Sequence, residues 1–173
     1  MLLREKIKKI KLLLLDVDGV LTDERIIFDN NNIESKFFNV KDGHGIKLLM
    51  RVGINVGIIT GRKSEVVNIR AKELGIKLIF QKSHNKLESL NKIKQLTGLK
   101  VEEIAYCGDD IVDIPVLKKV GVAFVVKNAV VECKKYADYV TYNYSYNGAV
   151  REIVELILKL SGKWDEVFKK YIS

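Results

Sequence analysis

Two aspartates separated by one residue stand directly after a run of leucines near the start of the chain. Residues 12–15 are all leucine, Asp16 and Asp18 follow, and Gly19 comes next. A continuous apolar run predicts a strand buried on both faces, which carries both acids into a turn at its carboxyl end. Open parallel sheets bind ligands beyond this end of their strands, and buried carboxylates need a compensating cation. Taken alone, the segment also fits a solvated Asp-Gly turn.

Polar side chains of related chemistry follow three further predicted strands. They are Thr60 and Arg62 after the second buried strand, Lys86 at the start of the helix after the third, and Asp109, Asp110 and Asp113 after the fourth. Converging carboxylates are typical ligands of Mg²⁺, which prefers oxygen atoms. A hydroxyl, a lysine and an arginine around such an ion suit a phosphoryl group, because phosphoryl transfer depends mostly on positioning and charge neutralisation.

The first pair of acids suits a two-step phosphoryl transfer. A carboxylate that faces phosphorus can act as the nucleophile and form an aspartyl-phosphate. A second acid two residues further on lies on the same face of an extended chain and can move the proton. The spacing of Asp16 and Asp18 therefore predicts a nucleophile and its acid/base partner.

The composition restricts the class of protein. The chain has 173 residues, 47% of them hydrophobic, and one proline, which predicts a single domain over residues 1–173. No apolar run approaches the roughly 18 residues of a membrane span, and no apolar block near the N-terminus resembles a signal peptide. Cys107 and Cys133 form no ligand-type cluster, so we expect a protein of the reducing cytoplasm. The net charge of +8 comes from scattered lysines, and we expect neither a nucleic-acid nor a membrane partner.

Hydrophobic periodicity assigns most of the chain to alternating strands and helices. Strands are predicted over 12–15, 55–59, 77–80, 104–107, 122–126 and 139–140. The predicted helices start at Gly45, run through 66–74 and 87–93, and cover 111–120, 130–136 and 150–160, with a helical pattern also in the tail 163–173. Residues 25–28 and 33–40 flank the turn at 29–32 and predict a β-hairpin. This order predicts an α/β fold, a Rossmann-like parallel sheet with helices on both faces plus a β-hairpin.

The motifs, in this order, resemble the haloacid dehalogenase superfamily of aspartate-nucleophile phosphatases. The matching segments extend over almost the whole chain and are 16–22, 58–61, Lys86 and 108–113. Each segment also stands at the strand or helix position that the superfamily uses. The resemblance therefore implies a phosphatase that depends on Mg²⁺.

The same resemblance implies a role for each matching residue. Asp16 would be the nucleophile and a Mg²⁺ ligand, and Asp18 would be the general acid/base and bind the ion through its backbone carbonyl. Thr60 and Lys86 would hold the phosphoryl oxygens, and Lys86 would also screen the acids from one another. Asp109 would complete the metal site, supported by the two acids that follow it in the fourth motif.

The distances between the motifs leave no room for a cap domain, which most members of this superfamily carry. Only a hairpin and one helix fit between Asp18 and Thr60, and only one strand and one helix fit between Thr60 and Lys86. Within the capless group, the chain resembles the 3-deoxy-D-manno-octulosonate 8-phosphate phosphatases. The segments that carry this resemblance are 38–46, 59–63, Arg70, 85–87, 106–110, 137–141 and 148–152.

This second resemblance implies a substrate and an assembly. The reaction would be hydrolysis of 3-deoxy-D-manno-octulosonate 8-phosphate through an aspartyl-phosphate, in a homotetramer whose hairpins form a central barrel and whose subunits cap one another's sites. The residues implied to contact the substrate are Asp18, Asn39, Val40, Lys41, Asp42, Gly43, Lys47, Thr60, Arg62, Arg70 and Lys86. Family members often have arginine at the positions of Lys41 and Lys47, which provides bidentate carboxylate geometry that lysine lacks.

Other interpretations stay open at the level of sequence. An acylneuraminate or ketodeoxynonulosonate 9-phosphate phosphatase has nearly the same motifs. A non-catalytic oligomerising domain of the same fold is a further alternative, although such domains typically lose the first aspartate or the distal acids. Among single residues, Asp42 and Asp110 could be only helix caps, and Arg70 and Lys86 could be only solvated helix residues.

Overall fold

A parallel sheet forms the centre of the molecule in the computed structural model, which describes residues 2–172. The strands are β1 Leu12–Leu15, β2 Ile27–Phe28, β3 Glu34–Ser35, β4 Asn55–Ile59, β5 Leu78–Phe80, β6 Ile104–Gly108, β7 Val122–Val125 and β8 Tyr139–Val140. Six of them form the sheet in the order β5-β4-β1-β6-β7-β8, and β2 and β3 form the hairpin. Within the described residues, no helix is long and apolar enough to cross a membrane.

The helices connect the strands and cover the sheet. They are α1 Leu3–Ile7, α2 Val40–Arg51, α3 Glu65–Leu74, α4 Lys86–Thr97, α5 Ile114–Leu117, α6 Val131–Lys134, α7 Ala149–Leu160 and α8 Trp164–Phe168. Single 3₁₀ turns occur at Val101–Glu103, Ile111–Asp113, Ser145–Asn147 and Lys169–Tyr171. No cap domain interrupts this order in residues 2–172, so the predicted α/β fold is confirmed.

Strand β1 lies at the middle of the sheet and is completely buried. All four of its leucines are 0% exposed, and because neighbouring strand residues point to opposite faces, both faces of the sheet are covered. Its last residue, Leu15, pairs with Ile58 of β4 on one side and with Cys107 of β6 on the other. The carboxyl ends of these three strands therefore lie side by side.

Helix α2 begins at Val40 and not, as the periodicity predicts, at Gly45. The reason is a cap: the side chain of Asn39 accepts the N–H of the second residue beyond it at 2.8 Å. Asp42, the alternative cap, lies in the first turn, and its Oδ1 accepts the backbone N–H of Arg151 in α7 at 2.6 Å. The interpretation of Asp42 as the cap of its own helix is therefore wrong.

The helix predicted over 111–120 is shorter and interrupted. It starts as the 3₁₀ turn Ile111–Asp113, and the α-helical part α5 contains Pro115 in its first turn, where a missing N–H is tolerated. The side chain of Asp110 accepts the N–H of Ile111 at 2.7 Å. The interpretation of Asp110 as a cap is thus confirmed.

The hairpin is present but short. Only Ile27 and Ser35, and Phe28 and Glu34, are paired, whereas the sequence predicts longer strands. We define the hairpin surface as the four large apolar side chains here that are more than half exposed, namely Ile26, Phe28, Ile33 and Phe37. A hairpin of this size is marginal alone in water, and its apolar surface is uncovered in a single chain.

The C-terminal tail packs on the body of its own chain. Its predicted helical pattern is confirmed by α8, in which Val167 is buried. Lys163 Nζ donates to the carbonyl oxygen of Val52 at 2.9 Å, and Arg51 Nη1 donates to the Tyr171 hydroxyl at 2.7 Å. Arg51 is the last residue of α2 and Val52 follows it directly, so the tail closes over the end of that helix.

The burial of β1 predicts a large effect of Leu13→Ala on stability. This leucine is 0% exposed, and truncation of a buried leucine to alanine costs about 2–5 kcal/mol of unfolding free energy because a cavity remains. Leu96→Ala on α4 is the matched control, since Leu96 is 71% exposed and its loss changes stability by about 0.5 kcal/mol or less. Urea unfolding of both variants measures the difference, and equal losses would contradict the assignment of β1 to the core.

Candidate active site

A cleft of 330 Å³ opens beyond the carboxyl ends of β1, β4 and β6. Its walls are formed by Asp16, Asp18, Thr60, Gly61, Arg62, Ser83, His84, Lys86, Asp109, Asp110 and Val112. The cleft therefore contains every residue that the sequence predicts for catalysis or for metal binding. His84, to which the sequence analysis gives no role, is an exposed residue of this wall.

Lys86 is the buried cation of the cleft. Its Nζ donates to Asp16 Oδ2 and to Asp113 Oδ1, each at 2.6 Å, and the residue is only 4% exposed. Burial lowers the pKa of Lys86, but the two carboxylates outweigh that effect and raise its pKa above the ordinary value. The side chain is therefore a charged ammonium group, and the interpretation of Lys86 as a solvated helix lysine is wrong.

Asp113 organises the loop after β6. Its Oδ2 accepts the backbone N–H groups of Asp109 at 2.9 Å and Asp110 at 3.1 Å. Its Oδ1 accepts the Tyr106 hydroxyl at 2.5 Å as well as the Lys86 ammonium group. With four donors and no exposed surface, Asp113 is a support of the site, which agrees with its predicted place in the fourth motif.

The carboxylates of the cleft fit a hard divalent cation. Asp16, Asp109 and Asp113 each offer an oxygen, and these oxygens lie within 4.8 Å of one another. Asp109 Oδ1 is buried and has no hydrogen-bond partner among the described residues. Because Asp113 already has its donors, Asp16 and Asp109 are the side chains that could hold Mg²⁺.

The pKa values of these acids are raised, which indicates that the cleft contains too little positive charge to balance the carboxylates. Burial and the nearby Asp16 raise the pKa of Asp109 to about 8. Burial raises the pKa of Asp16 to about 6, although the Lys86 ammonium group acts in the opposite direction. One ammonium group thus faces three carboxylates, and a further cation would stabilise their charged forms.

Gly19 lets the loop after β1 approach Asp109. Its φ of +89° lies in the left-handed region, which glycine adopts without steric cost. A Cβ atom at this position would lie 2.1 Å from Asp109 Oδ2, so no larger residue fits. The carbonyl oxygen of Gly19 also accepts Asn128 Nδ2 at 3.2 Å, which fixes the loop from the other side.

Thr60 stands at the end of β4, directly beside the acids. Its backbone N–H donates to the carbonyl oxygen of Phe80 at 2.9 Å, and its own carbonyl accepts the N–H of Ser83 at 3.0 Å. These bonds tie the end of β4 to the loop after β5, and Thr60 is only 3% exposed. The hydroxyl-bearing residue is therefore held rigidly in the wall of the cleft.

Comparison with known proteins identifies the family of this chain. Residues 65–153 match the haloacid dehalogenase-like hydrolases. The 3-deoxy-D-manno-octulosonate 8-phosphate phosphatase of Salmonella typhi is 44% identical to this chain over 161 residues, which are 93% of this chain and 86% of that protein. The chain belongs to the haloacid dehalogenase-like hydrolases.

A solved structure agrees with this assignment along the whole fold. The 3-deoxy-D-manno-octulosonate 8-phosphate phosphatase of Moraxella catarrhalis, crystallised with magnesium, phosphate and the sugar acid KDO, superposes with a TM-score of 0.95. It is 40% identical, and the match covers 97% of both chains. The corresponding curated phosphatase of Haemophilus influenzae is 38% identical over 93% of this chain and 89% of that protein.

In this haloacid dehalogenase-like hydrolase, the other residues predicted to contact the substrate line different depressions of the surface. They are Asn39, Val40 and Lys41 in a groove of 760 Å³, Asp42, Gly43 and Arg70 around a cavity of 10 Å³, and Lys47 farther along α2. Arg70 is not simply solvated, because its guanidinium group binds Glu73 at 2.7 Å and lies over the ring of Phe38. A single chain therefore does not bring this set into the acidic cleft.

Two side chains without a role predicted from the sequence reach the acids of the hydrolase. Tyr106 donates a hydrogen bond to Asp113. The sequence feature that could have indicated this contact is a hydroxyl group in an otherwise apolar, buried strand. Lys36 reaches from the hairpin to Asp18 Oδ1. The sequence feature that could have indicated the contact of Lys36 is the spacing of the charged residues 34 and 36, which places both side chains on one face of an extended segment.

The raised pKa of Asp109 predicts how Asp109→Asn changes stability. A carboxyl group whose folded-state pKa is about 8, above its ordinary value, destabilises the metal-free fold increasingly as the pH rises from 4 to 8. The variant should therefore be more stable than the metal-free wild type at pH 8, and its advantage should be smaller at pH 5.

Thermal unfolding at both pH values, with chelator or with Mg²⁺, measures this effect. The wild type should gain stability from Mg²⁺ at pH 8, and Asp109→Asn should lose that gain because a ligand is missing. A variant that is less stable than the metal-free wild type at both pH values would contradict this account, in which the charged Asp109 carboxylate destabilises the fold until a metal ion binds it.

Proposed function

We propose that the chain is a Mg²⁺-dependent phosphatase that hydrolyses 3-deoxy-D-manno-octulosonate 8-phosphate to the free sugar acid and phosphate. The observation that carries the proposal is the buried contact of Asp16 with Lys86 beside Asp109, an arrangement of groups that suits phosphoryl transfer. The relatives that share 44% of this sequence over 93% of its length are phosphatases of that substrate.

Asp16 is oriented as a nucleophile. Its Oδ1 accepts the N–H of Val17 at 2.7 Å and its Oδ2 accepts Lys86 Nζ at 2.6 Å, so the carboxylate cannot rotate away. Each oxygen retains a free lone pair with which to attack phosphorus. The attack forms a bond between Asp16 and phosphorus and breaks the bond to the sugar oxygen, and Asp18 supplies the proton to that leaving oxygen.

The second step reverses the direction of proton transfer. Asp18 takes a proton from water, which attacks phosphorus, releases inorganic phosphate and restores the carboxylate of Asp16. The Thr60 hydroxyl and the Lys86 ammonium group bind the phosphoryl oxygens during both steps. When bound by Asp16, Asp109 and the carbonyl of Asp18, Mg²⁺ neutralises the charge that builds up on these oxygens.

The guanidinium group of Arg62 supports an anionic substrate. Its Nη2 donates to Glu34 Oε1 at 2.8 Å, whereas its Nη1 is buried and has no partner among the described residues. A buried donor without a partner is costly, and an anionic group in the cleft would satisfy it. This donor suits an anionic substrate, either its phosphoryl group or a carboxylate beside it.

We infer that the active unit is a homotetramer in which each subunit caps its neighbour's site. The hairpin surface is apolar and uncovered in one chain, and the rim residues Asn39, Val40 and Lys41 lie in an open groove beside it. Closed symmetry would bury every hairpin surface at once and bring these rim residues over a neighbouring cleft. The site, open on one side in a single chain, would then exclude water.

The two thiols support a place in the cytoplasm. Cys107 and Cys133 are both buried and free. Burial raises the pKa of each above its ordinary value, so neither is a reactive thiolate. Buried free thiols are the form in which cysteine persists in a reducing compartment, and we propose the cytoplasm on this ground.

Phosphate release from a panel of substrates tests the function. With Mg²⁺, kcat/KM should be highest for 3-deoxy-D-manno-octulosonate 8-phosphate, by at least about tenfold over the 9-phosphates of acylneuraminate and ketodeoxynonulosonate. EDTA should abolish the activity, Mg²⁺ should restore it, and Ca²⁺ should inhibit because its higher coordination number misplaces the phosphoryl group.

Asp16→Asn is the matched inactive variant, because it keeps the shape of the side chain and removes the attacking charge. Its turnover should fall at least about a thousandfold while its Tm stays near that of the wild type. A preference for a 9-phosphate would favour the rival phosphatases. Full activity in chelator, or an Asp16→Asn variant with more than about a tenth of wild-type activity, would contradict the mechanism.

Light scattering tests the assembly. The purified protein should have about four times the monomer mass of 19.7 kDa at micromolar concentration. Phe28→Glu places a charge on the hairpin surface and should lower both the assembly state and the activity, whereas Leu96→Glu places one on exposed α4 and should change neither. A stable monomer with full activity would show that no neighbour caps the site.

A further inference from the structure

A row of alternating charges connects the hairpin with the cleft. Lys36 Nζ binds Asp18 Oδ1 and lies 3.3 Å from Glu34 Oε1, and Arg62 Nη2 binds the same Glu34 oxygen at 2.8 Å. Acid and base therefore alternate from Asp18 through Lys36 and Glu34 to Arg62. Both ends of the row belong to the wall of the cleft, and its two inner members belong to the hairpin.

The side chain of Lys36 is completely buried, which shows that its place is specified by the surrounding structure. Its side chain has 0% exposure, against 25% for Asp18 and 13% for Glu34. An ammonium group is stable in such a place only when it is paired, and here two carboxylates pair with it. The long lysine side chain has many rotamers in water, and burial of its whole length removes most of them.

The alternation of the second hairpin strand directs these side chains inward. Glu34, Lys36 and Phe38 are partly buried, whereas Ile33 and Phe37 on the other face are exposed. Because successive residues of an extended chain point to opposite sides, one register places Glu34 and Lys36 on the cleft side and the apolar residues outside. The register of the hairpin therefore determines where the Lys36 ammonium group contacts Asp18.

The Lys36 side chain has no exposed surface with which to touch a substrate, so its effect on the reaction must pass through Asp18. We propose that Lys36 is a positioning residue, held by Glu34 and Arg62, that fixes the Asp18 carboxylate in the orientation from which it transfers the proton. This inference rests on the proposed function, because it assigns Asp18 as the acid/base group. Proton transfer slows when donor and acceptor are misaligned, even if the substrate still binds.

Lys36→Met tests the proposal, because it keeps the unbranched side chain up to Cε and removes the ammonium group. Turnover of 3-deoxy-D-manno-octulosonate 8-phosphate should fall about 10- to 100-fold with KM within about twofold, since the variant misplaces the acid and not the substrate. Lys36→Arg should recover most of this loss. Lys92→Met on the exposed face of α4 is the matched control and should leave both parameters unchanged.

The leaving group provides the second readout. p-Nitrophenyl phosphate releases an anion that needs no proton, so single-turnover release of p-nitrophenolate by Lys36→Met should stay within about threefold of the wild type. The third readout is a double-mutant cycle. In an Asp18→Asn background, Lys36→Met should cause no further loss of the sugar phosphate reaction, because the group that Lys36 positions is already gone.

Equal losses on both substrates, or an undiminished loss in the Asp18→Asn background, would overturn the proposal and show that Lys36 acts through the fold. A crystal structure of Lys36→Met should show the Asp18 carboxylate turned or in two conformers, and an unchanged carboxylate would also overturn it. If Lys36→Met fails to fold, Glu34→Gln removes the charge of the second carboxylate that pairs with Lys36 and should give a smaller loss with the same substrate pattern.

Failure of the proposed substrate is distinguishable from these outcomes, because it would appear in the wild-type protein. The same comparisons would then use the alkyl phosphate that the wild type hydrolyses fastest. A wild type with no phosphatase activity on any alkyl phosphate would overturn both the proposed function and the role of Lys36.

Discussion

The burial of like charges at the ends of two neighbouring strands is the constraint on which the rest of the structure depends. Asp16 follows β1, and Asp109 and Asp113 follow β6, so the pairing of these strands brings three carboxylates together. Their repulsion is offset by Lys86 and by the donors that surround Asp113. The arrangement tolerates no bulk nearby, since a Cβ atom on Gly108 would lie 2.5 Å from Asp113. The crowding of carboxylates that suits a cation is thus the same crowding that Lys86 and the donors around Asp113 must offset.

The apolar body of the protein must hold this cluster together. The buried strands and the contact of α2 with α7 form a continuous core around it. Even that contact uses an acid: Gly148 has no side chain to cap α7, and Asp42 of α2 accepts the free N–H of Arg151 instead. Burial raises the pKa of Asp42 to about 7, so this bond between helices is itself sensitive to pH.

The sequence predicts the acidic cleft because local signals determine it. The leucine run defines a buried strand, its end places Asp16 and Asp18, and parallel pairing brings Thr60 and Asp109 to the same edge. The contact of Lys36 depends instead on how the hairpin packs against the sheet, and that of Tyr106 on the orientation of its side chain. The hydrophobic periodicity of the sequence specifies neither. The bond between Asp42 and Arg151 joins residues 109 positions apart and is likewise invisible in the local pattern.

The two faces of the hairpin explain how a short capless chain can complete a phosphatase site. The inward face carries Glu34 and Lys36 to Asp18 within the same chain, and the outward face carries Ile33 and Phe37 to solvent. Only two residue pairs hold its strands, so the hairpin is weak unless something covers its apolar side. Covering that side by a second copy would order the inward face as well, because both faces share one backbone register. Assembly and the orientation of Asp18 would then be coupled through the hairpin, and an isolated subunit would lose the aligned acid before it loses the nucleophile.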